Sequence, residues 1–197
     1  MPDLTPRSAF IGLPGRSGRA EGEPGVTVRP RDDLALARVI ARKGRADDLA
    51  SIVRSRYGLD LPTMPKRVEQ GGLALIWSGP GQWLAVAEDG RDLARELADA
   101  AGAFAAVSDQ GDGLAVLRVA GPHARDALIK GVGLDLHPRA FGPGDAAVTV
   151  IAHIGAQLWQ LDDGPTYEIA IYRSFAGSLW RWLEASAAEF GCAVDAG

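Results

Sequence analysis

Three histidines, His123, His137 and His153, are the only imidazoles in this chain, and their spacing suits no metal. There is no HxxxH pair and no His/Cys grouping, so a tetrahedral zinc site has no basis in the sequence. Serine nucleophiles fare no better. Ser108, beside Asp109, and Ser174 lack a GxSxG turn, and no histidine is placed by sequence to take a proton from either. Paired carboxylates occur at Asp162 and Asp163, but Gly164 and Pro165 follow at once, as in a turn between strands. The segment GLPGRSG at 12–18 imitates a phosphate loop, yet it follows no strand and lacks the Gly-Lys-Ser/Thr ending. The residues point away from a self-sufficient enzyme, and no catalytic, cofactor-binding or metal-ligating residue is assigned.

The chain has 197 residues, 47% hydrophobic and 23% charged, enough for one large domain or two small intertwined ones. A net charge of −4 argues against nucleic acid, whose phosphates call for a basic face. Cys192 is the sole cysteine, which rules out an intrachain disulfide and fits a reducing compartment. No run approaches the about 20 apolar residues of a membrane span, and the first residues lack the basic and apolar regions of a signal peptide. The expectation is a soluble, cytoplasmic protein with no membrane partner.

Residues 1–33 hold five glycines and five prolines with no sustained hydrophobic period. This composition predicts a flexible N-terminal arm that becomes ordered on a partner. From residue 34 the pattern turns regular. A strand over 34–43 is followed by a helix over 46–57, with Leu49, Ile52, Val53 and Tyr57 at helical spacing and Gly58 as its stop. Strands over 72–78 and 82–88 flank the turn Gly79-Pro80-Gly81, and a helix over 91–101 leads to a strand over 103–108. The second half repeats this order. It has a strand over 113–119, a helix from Pro122 to Lys130, strands over 146–154, 156–161 and 166–172, a helix, and a closing strand over 192–195. Two β-α-β-β-α-β units predict an α+β, duplicated ferredoxin-like fold, with 34–197 a single globular domain of two intertwined halves, about 34–110 and 111–197.

The last helix carries the sequence RSFAGSLWRWLEASAAEFG over 173–191. On a helical wheel its apolar residues fill an arc of about 160°, with Arg181, Glu184 and Glu189 outside it. Phe175, Leu179, Leu183 and Phe190 are expected in the core, Ser174 as the N-cap and Gly191 as the stop. Trp180 and Trp182 lie at opposite margins of the arc, where an indole can serve a subunit interface. Arg173, with a planar fork for a carboxylate or carbonyl, joins them as an interface candidate.

The stretches WSGPGQWLAVAEDG (77–90), VAGPHARDALIKGVGLDLHPRAFGPGDAAVTVIAHIGAQLWQL (119–161) and YEIAIYRSFAGSLWRWLEASAAEFG (167–191) carry a resemblance. The chain resembles the gamma subunit family of heterotetrameric sarcosine oxidase from about residue 35 to 191. The resemblance implies a fold similar to the folate-binding aminomethyltransferases. It also implies a complex that demethylates sarcosine to glycine with oxygen, giving hydrogen peroxide and formaldehyde or 5,10-methylenetetrahydrofolate. FAD, FMN, NAD, tetrahydrofolate and zinc are then expected in the alpha, beta and delta subunits, and none in this chain. Aminomethyltransferases carry a Gly-Gly-Ile-x-Asp-Asp-like stretch, whereas the matching hairpin here, from His153 to Trp159, has no carboxylate. Two readings follow: a non-catalytic, assembly-stabilising subunit, or alternatively a free-standing folate-binding one-carbon-transfer protein.

Overall fold

The computed structural model describes residues 7–19, 22–88 and 90–195. Among these residues the chain begins with β1 (Arg16–Ser17) and β2 (Val26–Pro30). The first half then runs β3 (Ala35–Ala41), α1 (Ala46–Tyr57), β4 (Arg67–Gln70), β5 (Leu73–Gly79), β6 (Gln82–Ala87), α2 (Leu93–Ala101) and β7 (Ala105–Asp109). Its sheet has the order β4-β5-β6-β3-β7, with every neighbour antiparallel. Without the extra edge strand β4, this is the ladder of a ferredoxin-like unit.

The second half repeats it as β8 (Leu114–Ala120), α3 (Ala124–Leu128), β9 (Ala146–Ile151), β10 (Ile154–Asp162), β11 (Thr166–Tyr172), α4 (Ala176–Ala187) and β12 (Cys192–Val194). Here β9 takes the edge place that β4 has in the first half. The duplicated α+β expectation holds, with one difference. The sheet order is β1-β12-β2-β8-β11-β10-β9, so a strand from the start of the chain lies between β8 and β12. Strand β2 runs antiparallel to β8, pairing Val28 with Val119, and parallel to β12, pairing Val26 with Cys192.

That insertion corrects the expected arm. Val26 and Val28 are fully buried, Phe10 is buried in the same core, and β1 pairs with the end of the chain through Arg16 and Ala193. The globular domain therefore takes in residues well before 34; of the expected arm, residues 1–6, 20 and 21 lie outside the described residues. The segment has no periodicity of its own because only a short Val-x-Val alternation faces the core. Its two partners are remote in sequence, so nothing local marks it.

Local chemistry explains the other elements. Helix α1 has Asp47 and Asp48 in its first turn and Arg54 and Arg56 in its last, each matching the helix dipole. It ends at Gly58, whose φ of 67° is left-handed and whose N–H donates to the Arg54 carbonyl at 3.0 Å. Helix α2 is capped by Asp92, whose side chain accepts from the Arg95 N–H at 3.2 Å.

The two sheets stack face to face with helices outside. One apolar cluster joins α1 and α2 to the outer face of the first sheet, through residues such as Leu49, Leu97, Val39 and Leu75. A second joins α3 and α4 to the other sheet, through Leu128, Leu179, Leu183, Leu117 and Ile169. The third lies between the sheets, where Leu36, Ile76, Leu84 and Val86 meet Leu114, Val116, Trp159 and Ala170. Deleting residues 1–30 removes β2 from the interior of a sheet and leaves β8 and β12 without their common neighbour. The expected outcome is loss of a cooperative melting transition, followed by near-ultraviolet circular dichroism.

Candidate functional site

The layer between the sheets changes character along its length, because residues alternate faces along every strand. Glu168 of β11 sits opposite Arg118 of β8 and Trp159 of β10, all pointing at the other sheet. Glu168 is 3% exposed and fully partnered. Its Oε1 accepts from Arg31 Nη1 at 2.5 Å and from Arg118 Nη2 at 2.8 Å, and its Oε2 accepts from the Trp159 indole at 2.9 Å. Arg31, 5% exposed, follows directly on β2 and completes the cluster. Its Nη2 donates to Glu88, just beyond β6 in the other sheet, at 2.7 Å and to Asp33 at 2.9 Å, while its Nε donates to Asp33 at 2.9 Å. Arg31 thus clasps one sheet to the other.

Electrostatics follow from this geometry. Burial opposes the charge on Arg31, but hydrogen bonds to Asp33 and Glu88 and the attraction of Glu168 outweigh it and raise its pKa. The same guanidinium, by hydrogen bonding, holds both Asp33 and Glu88 below the ordinary carboxylate range. Such a cluster holds position: both carboxylate oxygens of Glu168 and of Asp33 are met by arginine or indole donors.

Two residues further along β8 and β11 the layer is dry at Val116 and Ala170, and beyond that it opens. Gln157 of β10 reaches across to the first sheet, its Nε2 donating to the Trp77 carbonyl at 3.0 Å and to Ser78 Oγ at 2.9 Å. This contact floors a cleft of about 230 Å³ lined by Arg38, Ser78, Leu114, Val148, Gln157 and Tyr172, among others. The cleft wall includes the hairpin expected to match the acidic aminomethyltransferase stretch. It contributes Gly155, Ala156 and Gln157 to the lining, and no carboxylate lines the cleft. The hairpin turns at Ala152 and His153, with φ of 48° and 69°, the mirror-image turn that suits two-residue hairpins but is strained for residues with a Cβ.

The interface candidates fall differently from the expectation. Trp180 is 6% exposed and belongs to the core, while Phe175, expected in the core, is 45% exposed. The cause is local. Residues 173–175 form a 3₁₀ turn and α4 begins only at Ala176, so Phe175 falls outside the phase of the helix, while Trp180 lies one turn beyond the buried Ala176 on the core side of α4. Ser174 is exposed and caps nothing; Phe175 stands at the N-cap position of α4 without a side-chain bond. Trp182 is half-buried and lies over Gly131, where a Cβ would come within 2.5 Å of its ring. Arg173 is half-buried and its guanidinium donates to the Arg7 carbonyl. All three candidates are thus engaged within the chain, and the site brings none of them together. The residues missed by the sequence reading are Arg31, Glu168 and Arg118, which look like surface charges until the strands are paired.

Other chemistry-bearing residues have local roles. His123 stacks on Phe190 at 4.6 Å and contacts Asp126 at 2.8 Å, and His137 accepts from the Arg139 N–H at 3.2 Å. Asp162 accepts from the Gly164 N–H at 2.8 Å, the expected turn. Burial and the nearby Glu184 push the Cys192 thiol up to about 11, partly offset by Ser17, so it is inert as a nucleophile. Among the described residues no group of three or more His, Cys, Asp or Glu could hold a metal ion, and no helix is long and apolar enough to cross a membrane.

The architecture is that of a duplicated, helix-flanked double sheet. A solved structure with this fold is the glycine cleavage system aminomethyltransferase T from Bartonella henselae, at a TM-score of 0.61 and 15% identity, over 84% of this chain and 49% of that one. The family model for the sarcosine oxidase gamma subunit matches residues 42–189. The chain belongs to this family. It is 34% identical over 177 residues to the sarcosine oxidase subunit gamma of Corynebacterium sp. (strain P-1), covering 87% of this chain and 85% of that one. The heterotetrameric sarcosine oxidase from Corynebacterium sp. U-96 contains a chain of the same fold, with a TM-score of 0.76 and 30% identity, over 86% of this chain and 87% of that one.

Two measurements probe these assignments. Trp180→Ala should destabilise the isolated chain by about 3–5 kcal/mol, as for a buried aromatic, and Phe175→Ala by at most about 0.5 kcal/mol, read from urea melts. Arg31→Met should cost about 3 kcal/mol at neutral pH, the lower end for breaking a buried pair, because Arg118 still reaches Glu168. Asp33 and Glu88 have folded pKa values below their unfolded ones, so their contribution is complete above about pH 4 and is lost as pH falls through the folded values. Thermal melts of Arg31→Met should therefore lose stability less steeply than the wild type in acid below about pH 4.

Proposed function

We propose that this chain is a non-catalytic gamma subunit that stabilises a heterotetrameric sarcosine oxidase. In this reading alpha, beta and delta subunits complete a cytoplasmic complex, with FAD, FMN, NAD and tetrahydrofolate sites in the larger subunits and zinc in the small one. The complex oxidatively demethylates sarcosine to glycine, with hydrogen peroxide and formaldehyde or 5,10-methylenetetrahydrofolate as the other products. The observation that carries the reading is the likeness, along most of both chains, to a chain of the Corynebacterium sp. U-96 heterotetramer. The lining of the cleft supports a structural role: it offers Arg38, Ser78, Gln157 and Tyr172 but no carboxylate, imidazole or thiol.

The test is a comparison of the isolated chain with the co-expressed complex. Alone, the chain should be colourless, bind no flavin and release no peroxide from sarcosine. Together with the other subunits it should elute in one complex that does both. Stoichiometric tetrahydrofolate uptake by the isolated chain would instead establish a free-standing folate-binding protein.

A further inference from the structure

Charged side chains of the inter-sheet layer are paired at the clasp, where Arg31 and Arg118 meet Glu168 and Glu88. Arg38 is different. It lies on β3 two residues beyond the dry Leu36, is half-buried in the wall of the open cleft, and has no hydrogen-bond or ion-pair partner among the described residues. Around it the apolar face that elsewhere packs sheet on sheet continues uncovered. Val148 and Val150 on β9 and Tyr172 at the end of β11 are each more than half exposed, and Ile40 is exposed beside Arg38 on β3. An unpaired guanidinium with its aliphatic surroundings left in water is a surface shaped for an anion on an apolar body.

We propose that this cleft is where a partner subunit docks, inserting an acidic side chain that pairs with Arg38 while its apolar neighbours cover Val148, Val150, Ile40 and Tyr172. The inference rests on the assembly reading above and names the surface that carries it. Charge complementarity selects the acid. Size selects a polypeptide over a free metabolite: the cavity of about 230 Å³ lies below the about 300–1,000 Å³ of small-molecule pockets, while the exposed apolar surface extends well outside it. The floor is already rigid, because Gln157 is bonded to the opposite sheet, so little ordering opposes docking. Strand addition to β9 is not the mode. Bridges from Val132 to Ile151 and from Lys66 to Asp145 close both ends of that edge, and recognition works through side chains in the cleft.

The test uses the full chain co-expressed with the other three subunits, and the purified chain titrated onto complex prepared without it. Arg38→Glu should weaken association by about ten-fold or more, with Val148→Asp acting likewise. Both positions are free of structural bonds, so melts of the isolated variants should match the wild type. Arg54→Glu, on the solvent side of α1, should associate as the wild type. If the wild-type chain assembles and Arg38→Glu and Val148→Asp assemble equally well, the docking site is wrong and the subunit reading stands. If the wild-type chain does not associate at all, the subunit reading fails and this inference with it. Arg38-dependent calorimetric binding of glutarate, with assembly unchanged in the variants, would overturn the proposal in favour of a small-molecule site.

Discussion

A guanidinium withdrawn from water is tolerated only where its donors are met, and Arg31 meets them from both sheets at once. Glu168 alone would be an equally costly buried charge; together with Arg118 and Trp159 the group is satisfied. The pairing does more than hold the sheets together. Since Arg31 directly follows β2, a slip of one residue in that strand would turn the guanidinium to the opposite face, into the apolar contacts with α3 and α4. Register, sheet stacking and the placement of the N-terminal strand are therefore one constraint.

That constraint shapes the layer between the sheets. Ions close one end, a dry middle of Leu36, Ile76, Val116 and Trp159 follows, and the single amide bridge of Gln157 precedes the opening. Two twisted sheets stacked face to face cannot stay in contact along every edge, and here the divergence falls where β9 and the ends of β10 and β11 project. The duplicated fold supplies a cleft at this end, lined by a guanidinium, hydroxyls and an amide but by no carboxylate.

Much of the fold was legible in the sequence because its signals are local. Leu49 and Val53 with Gly58 mark α1, the Gly-Pro-Gly turn marks the β5–β6 hairpin, and the repeat of the element order marks the duplication. Signals that depend on distant partners were silent. Strand β2 shows only Val26 and Val28 among prolines and glycines, and β4 offers just Val68 between charged residues. The β9–β10 turn at Ala152 and His153 has neither glycine nor asparagine, so its strained backbone leaves no trace in composition. Arg31 and Glu168 read as solvated charges because burial is decided by pairing across sheets. Phe175 was misread because a 3₁₀ turn precedes α4, a change of pitch that a wheel of constant period does not register, and without Phe175 the buried arc centres nearer Trp180.

The position of β2 also sets an order of events. Val26 pairs with Cys192, so β2 takes its place only beside a strand made more than 160 residues later. The first half, with its own closed set of strands, can form while synthesis continues. The second half cannot: until residues 192–194 emerge, β2 has one neighbour instead of two, and its buried face waits in an unfinished sheet. The β2 segment is made well before both strands that flank it, and it is locked in only once β12 has formed.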